Sequence, residues 1–330
     1  MVRTRQGCLV ALVIGLGLLA ACKKDDKAGQ PAEKLAAQSG GGATAVSDDL
    51  SLLPVDSEVV VGVNVAQIQQ SALWKQFVEP KMNQGEFQKR MTELKTRCGY
   101  DPMTAIKSMS IGAKPGGTNK VSFVAVAHGV DKAKSLECLD KSKDEIAKDG
   151  TTMTRDGDVV LLDNAAQNEH AAITFVNDST GLIAVGDAAT TAGVKALLSG
   201  SSGLKSSTAF IEMYKKIKTT DSVWVLANGK VMEKLPMSAT AAYGSLNVTD
   251  GFALDGHIRS QSPEAATQMA TLATGQFKQA AQFVDKAEFT AEGNEVHAVV
   301  VMSNAKLQAL IQQVGPMLGM FLGGGVGDKQ

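Results

Sequence analysis

The groups in this chain that could do covalent, acid–base or metal chemistry are four cysteines, four histidines and a scatter of carboxylates. His128, His170, His257 and His297 come first, because imidazole changes charge near neutral pH and is the commonest metal ligand. None stands within five residues of another His or Cys, or of a paired carboxylate in a recognised ligand spacing. His128, His257 and His297 fall in or at the end of β-like runs, so each reads as a strand residue unless distant residues converge in the fold. Asp140, Asp144, Asp149, Asp156 and Asp158 lack the alternating spacing of a calcium loop. No Gly-x-Ser-x-Gly elbow, phosphate loop or Ser-x-x-Lys set is present. Ser199-Gly200-Ser201-Ser202-Gly203 is small and polar but follows a helix, so it reads as a linker. The expectation is no catalytic residue, no cofactor, no metal site and a protein that is not an enzyme.

The remaining reactive group is the thiol. Arg3 and Arg5 precede an uncharged run from Cys8 to Ala21, and Leu19-Ala20-Ala21-Cys22 closes it. This is the pattern of a secretion signal. It is too short for a spanning helix, which needs about 20 apolar residues, and Lys23, Lys24, Asp25 and Asp26 follow at once. The ending resembles the lipobox of bacterial lipoproteins, which implies lipidation of the Cys22 thiol and cleavage before it. A cut after Ala21 without lipid is the alternative. Lys23 stands where Asp would mark inner-membrane retention in enteric bacteria, so the resemblance favours the outer membrane, on its periplasmic or outer face.

Secretion leaves Cys98 and Cys138 in an oxidising compartment, where an isolated pair is most simply a disulfide. Phe87, Met91, Leu94 and Cys98 fall on one helical stripe, and Cys138 flanks a stripe of Leu136, Leu139 and Ile146. A redox or metal pair would require C-x-x-C spacing or nearby histidines, which are lacking. Closing a loop of about 40 residues stabilises the fold by roughly 4 kcal/mol.

The elements that must position these groups follow from the pattern of the chain. Residues 1–21 read as signal, 22–49 as a tether of Lys, Asp, Ala, Gly, Gln and Ser that cannot bury a core. Such a tether reaches about 30 Å as flexible coil. The formal net charge of −1, with both signs interleaved, argues against nucleic acid as a partner. From residue 50 the pattern is a buried strand at 58–65, two helices, strands at 109–113 and 121–128, a helix from Asp131, two hairpins, and a helix from Asp187. It then starts again: strands near 223–226 and 252–259, a helix entered through Ser262, Pro263 and Glu264, a hairpin, and a helix from Asn304. The predicted fold class is α+β with an internal duplication: two related halves, 50–203 and 204–330, each a mainly antiparallel sheet covered by helices. The apolar run Pro316-Met317-Leu318-Gly319-Met320-Phe321-Leu322 reads as a last helix or as a membrane or partner contact.

Leu53-Pro54-Val55-Asp56 leading to Val59, the turn Cys98-Gly99-Tyr100-Asp101-Pro102 and the pair Cys138-Leu139 complete a plan that, with the lipobox and tether, resembles uncharacterised lipoproteins of Gram-negative bacteria. The resemblance spans most of the chain and implies no particular activity. The expected function is a non-enzymatic, membrane-anchored scaffold or binding protein of the cell envelope, its partners the membrane through Cys22 and an envelope protein. The alternative is a periplasmic carrier of an apolar ligand or lipid, for which Met232, Met237, Met269, Met317 and Met320 are suited. An enzyme assembled from distant residues is the third reading.

Overall fold

The computed structural model describes residues 49–115, 121–201, 203–233, 239–279 and 281–312. The signal, Cys22, the tether up to residue 48, turn residues 116–119, Met237, Met317, Met320 and the apolar run 316–322 lie outside the described residues.

Short β-branched runs bounded by turns become the strands: β1 (Val59–Val63), β2 (Ser108–Pro115), β3 (Val121–His128), β4 (Thr152–Asp156), β5 (Val159–Asn164), β6 (Glu169–Asn177), β7 (Thr180–Val185), β8 (Val223–Asn228), β9 (Ala239–Asn247), β10 (Gly251–Ser260), β11 (Lys286–Glu292) and β12 (Glu295–Ser303). The longer helices are α1 (Val65–Gln70), α2 (Gly85–Cys98), α3 (Lys132–Lys141), α4 (Lys143–Lys148), α5 (Thr191–Leu198), α6 (Thr208–Tyr214) and α7 (Pro263–Gln279). The twelve strands form one antiparallel sheet in the order β11-β12-β10-β9-β8-β1-β2-β3-β7-β6-β5-β4.

That order corrects the expectation of two halves with a sheet each. β1 and β8 pair along their length, from Val59 opposite Ala227 to Val63 opposite Val223. Left apart, both would be valine-rich edges with unpaired backbone groups, which is the exposure that sheets avoid. Pairing them satisfies both ladders and makes a single sheet.

Side chains alternate between its two faces. On the front, Val60, Val124 and Ala184 pack with Trp224, Leu226 and Tyr243 from the other side of the joint, beneath Leu53, Leu204, Phe210 and Met213. Trp224 is 2 % exposed and meets the Tyr214 ring edge-on at 5.5 Å. Its indole lies across Gly62, its direct partner in the ladder, where a β-carbon would sit 2.0 Å from the ring. On the back, α3 and α4 set Leu139 and Ile146 on Val160, Leu162 and Ile173. At the other end α7 sets Ala266, Met269 and Ala270 on Val296 and Ile258.

Two local expectations change. Asp49, assigned to the tether by composition, is 2 % exposed; its carboxylate meets Nε2 of His128 at 2.9 Å and its carbonyl accepts from Leu52 and Leu53. It therefore belongs to the body. In α7 the Ser262 hydroxyl accepts from the Ala265 N–H, as the start signal predicts, but Leu272, which helical periodicity sets on a core-facing stripe with Met269, Ala273, Phe277, Ala280 and Val284, is 65 % exposed. It lies about 120° round the helix from Ala266 at roughly 100° per residue.

Gly62→Val should destabilise the protein by about 3 kcal/mol, since the indole must leave its site or the strands must part. A urea titration should show a lower midpoint at unchanged slope. Combining a smaller change, Gly62→Ala, with Trp224→Phe should recover part of the loss.

Candidate functional site

The back of the sheet carries a cavity of about 250 Å³ between β2, β3, β7 and β6 and the segments around α2 and α3. Its floor is built by alternation and register. Ile111, Ala125, Ile183 and Ile173 form one row across four strands, and Met109, Ala127, Gly181 and Phe175 form the next. Ala125, Ala127 and Gly181 are what create the space, because larger side chains there would fill it. The lining also includes Phe123, Val130 and Leu139, and it reaches the surface at Val121, which is 60 % exposed.

The wall is set by the end of α2. Gly99, with φ of 69°, takes the left-handed conformation that stops the helix after Cys98. Tyr100 then turns to the cavity, and its hydroxyl pairs with that of Ser135 from α3 at 2.9 Å. Burial pushes the Tyr100 phenol up, so it stays protonated. Cys98 and Cys138 are joined in a disulfide with Cα atoms 4.5 Å apart, and both are buried. The bridge ties α2 to α3, and so fixes Tyr100 against Ser135 and Leu139. Of the Cys-Gly-Tyr-Asp-Pro and Cys-Leu segments, Tyr100 and Leu139 thus line the cavity.

A polar cluster occupies the front at the opposite end of the sheet, over β9, β10 and β12. The rings of Tyr243, His257 and His297 stack across three strands, with centroids 4.9 and 4.5 Å apart and planes within 12° and 5°. His297 Nε2 lies 2.8 Å from Asp255 Oδ1, and Lys218 Nζ lies 3.0 Å from Asp255 Oδ2. Burial holds the His257 imidazole below its ordinary range and His297 adds to this. Beside the stack, Glu295 is 14 % exposed and receives Arg259 on Oε1, with Lys216 and the Tyr243 hydroxyl on Oε2. Burial pushes the Glu295 carboxyl up, but Lys216, Arg259 and Tyr243 outweigh it and hold it at about 2.

The four histidines therefore fare differently. His128 pairs with Asp49 and Thr180, and His170 with Asp163 at 2.8 Å, each a separate contact. His257 and His297, 40 positions apart in sequence, are direct partners between β10 and β12. With Asp255 they are the group of three metal-ligating side chains among the described residues. The signal available in the sequence was Asp255-Gly256-His257, two ligating residues on one strand face, completed only by pairing with β12. Tyr243 was out of reach, because β9 is rich in Ala and Gly and carries weak strand propensity.

The chain matches no protein-family model, no curated protein and no solved structure. Its function is to be read from this geometry.

Removing the disulfide by Cys98→Ala with Cys138→Ala should cost about 4 kcal/mol, given the 40-residue separation it closes. Denaturant titrations of oxidised, reduced and variant protein measure this. Glu295, with its folded-state pKa depressed from 4.5 to about 2, stabilises the fold fully above about pH 4.5. That contribution, on the order of 2–3 kcal/mol, is lost as pH falls from there toward 2. Glu295→Gln should flatten the stability profile over that interval.

Proposed function

We propose that the protein is a lipid-anchored binding protein of the cell envelope, held at the outer membrane through Cys22, and that its back cavity takes an apolar ligand. It acts by binding rather than by catalysis. The observation that carries the ligand reading is the cavity itself. It is lined almost entirely by apolar side chains, opens beside Val121 and holds one polar pair, Tyr100 and Ser135. Ligand pockets combine an apolar lining with a few placed polar groups and measure roughly 300–1,000 Å³. At about 250 Å³ this cavity suits one hydrocarbon chain more than a bulky polycycle. The Tyr100–Ser135 pair offers a hydrogen bond to a carboxyl or hydroxyl head.

The anchor is supported by the lipobox-like ending of the N-terminal signal and the polar tether behind it. Among the described residues no helix is long and apolar enough to cross a membrane, so attachment through the lipid is the means proposed. A scaffold role has one observation of its own. The back of β8, β9 and β10 is an open apolar groove of about 340 Å³ lined by Val223, Val225, Leu246 and Ile258.

Titration with a fluorescent fatty acid should show saturable binding of one probe per chain. Ala125→Phe should fill the cavity and weaken uptake at least tenfold while circular dichroism stays unchanged; undiminished uptake would place the ligand elsewhere. Mass spectrometry of the protein extracted from its native membrane should find acyl chains on Cys22, and Cys22→Ala should release the body from the membrane fraction.

A further inference from the structure

The stacked histidines on the front have no part in the cavity. We propose that Asp255, His257 and His297 form a binding site for a divalent transition-metal ion of the zinc class. Their ligating atoms all lie within 4.8 Å of one another. Two imidazoles and a carboxylate are the ligand chemistry that this class of ion takes, at about 2.0–2.2 Å per bond.

The backbone places all three on one rigid surface. His257 and His297 are direct partners in the β10–β12 ladder, and Asp255 stands two positions before His257, so its side chain leaves the same face. β10 is paired on both sides, with β9 and β12, so the ligands need no loop to close over the ion. Loading it takes only side-chain movement. The two rings splay from their stack so that a nitrogen of each converges, and the ion replaces the hydrogen bond between Asp255 Oδ1 and His297 Nε2.

Two further observations favour an ion over a hydrogen-bonded cluster. Among the described residues the half-buried His257 ring has stacking partners on both faces but no hydrogen bond to its nitrogens. Asp255 Oδ2 is held by Lys218 at 3.0 Å, which aims Oδ1 at the histidines in the way outer-shell contacts orient metal ligands. Lys218 is 66 % exposed and free to swing away as positive charge arrives. Three protein ligands leave a coordination position open to water or a small anion, with Lys216 close by over the Tyr243 ring.

Equilibrium dialysis of the full-length chain against zinc, followed by elemental analysis, tests this. One equivalent should bind, with affinity falling at least tenfold in His257→Gln and in His297→Gln. His170→Gln, on β6 toward the other end of the sheet, should bind as the parent does. Cobalt in place of zinc should give the absorption bands of a tetrahedral ion, and His257→Gln should remove them. Circular dichroism of each variant separates loss of the site from loss of the fold. Absence of stoichiometric zinc binding by the folded parent, or binding that survives the double variant His257→Gln with His297→Gln, would overturn the proposal.

Discussion

The ladder between β1 and β8 is the constraint on which the rest of the molecule depends. It joins strands that would otherwise be two valine-rich edges, and it is sealed on the front by one close contact, the Trp224 indole lying on Gly62. The contact needs both residues: a large ring to cover the strand and a partner with no side chain beneath it. Since the front core draws on strands from both sides of the joint, the segments covering it, with Leu53, Leu204 and Phe210, have a complete surface to pack on only when the ladder is closed.

The two faces of the sheet then take different chemistry. The back is apolar along its length and is covered by helices near each end. Small residues in β3 and β7 leave an apolar space beneath Tyr100 and α3 rather than a filled core. The front is covered from β6 to β9 by α5, α6 and the Leu50–Leu53 segment. Beyond that cover the same alternation turns Asp255, His257, Arg259, Glu295 and His297 toward water. Charges and rings gather there because β10 and β12 must present something polar on the uncovered side. Register decides that they gather as a stack and an ion-pair network instead of as scattered groups.

Much of this was legible in the sequence. The β-branched runs at β1 and β3, the turns between β4 and β5 and between β6 and β7, and the Ser262–Pro263 helix start carry local signals strong enough to survive into the fold. The stripe of Phe87, Met91, Leu94 and Cys98 did so too, and Cys98 faces Cys138. What failed was non-local or weakly encoded. β9, with three Ala, one Gly and one Tyr among its nine residues, is a strand because it lies between two others. The repeated order of elements suggested separate halves, and nothing in a one-dimensional pattern reveals that the first strand of each series pairs with the other. The His257–His297 pair was hidden for the same reason, since strand partners are set by register and not by distance along the chain. Leu272 shows the opposite case: an apolar residue near a stripe still points away when its angle round the helix is wrong.

The position of β1 also orders assembly in time. Its Glu58 neighbour hydrogen-bonds to Val231 across 173 positions, so the centre of the sheet is its least local part. As the chain is made, β1 can meet β2 early, but its other edge stays open until β8 exists. The entropy of closing so long a loop must be overcome before that pairing returns any stability. The least local pairing in this sheet therefore lies in its middle. Until it forms, a young chain carries a bare, valine-rich strand edge that other chains could capture.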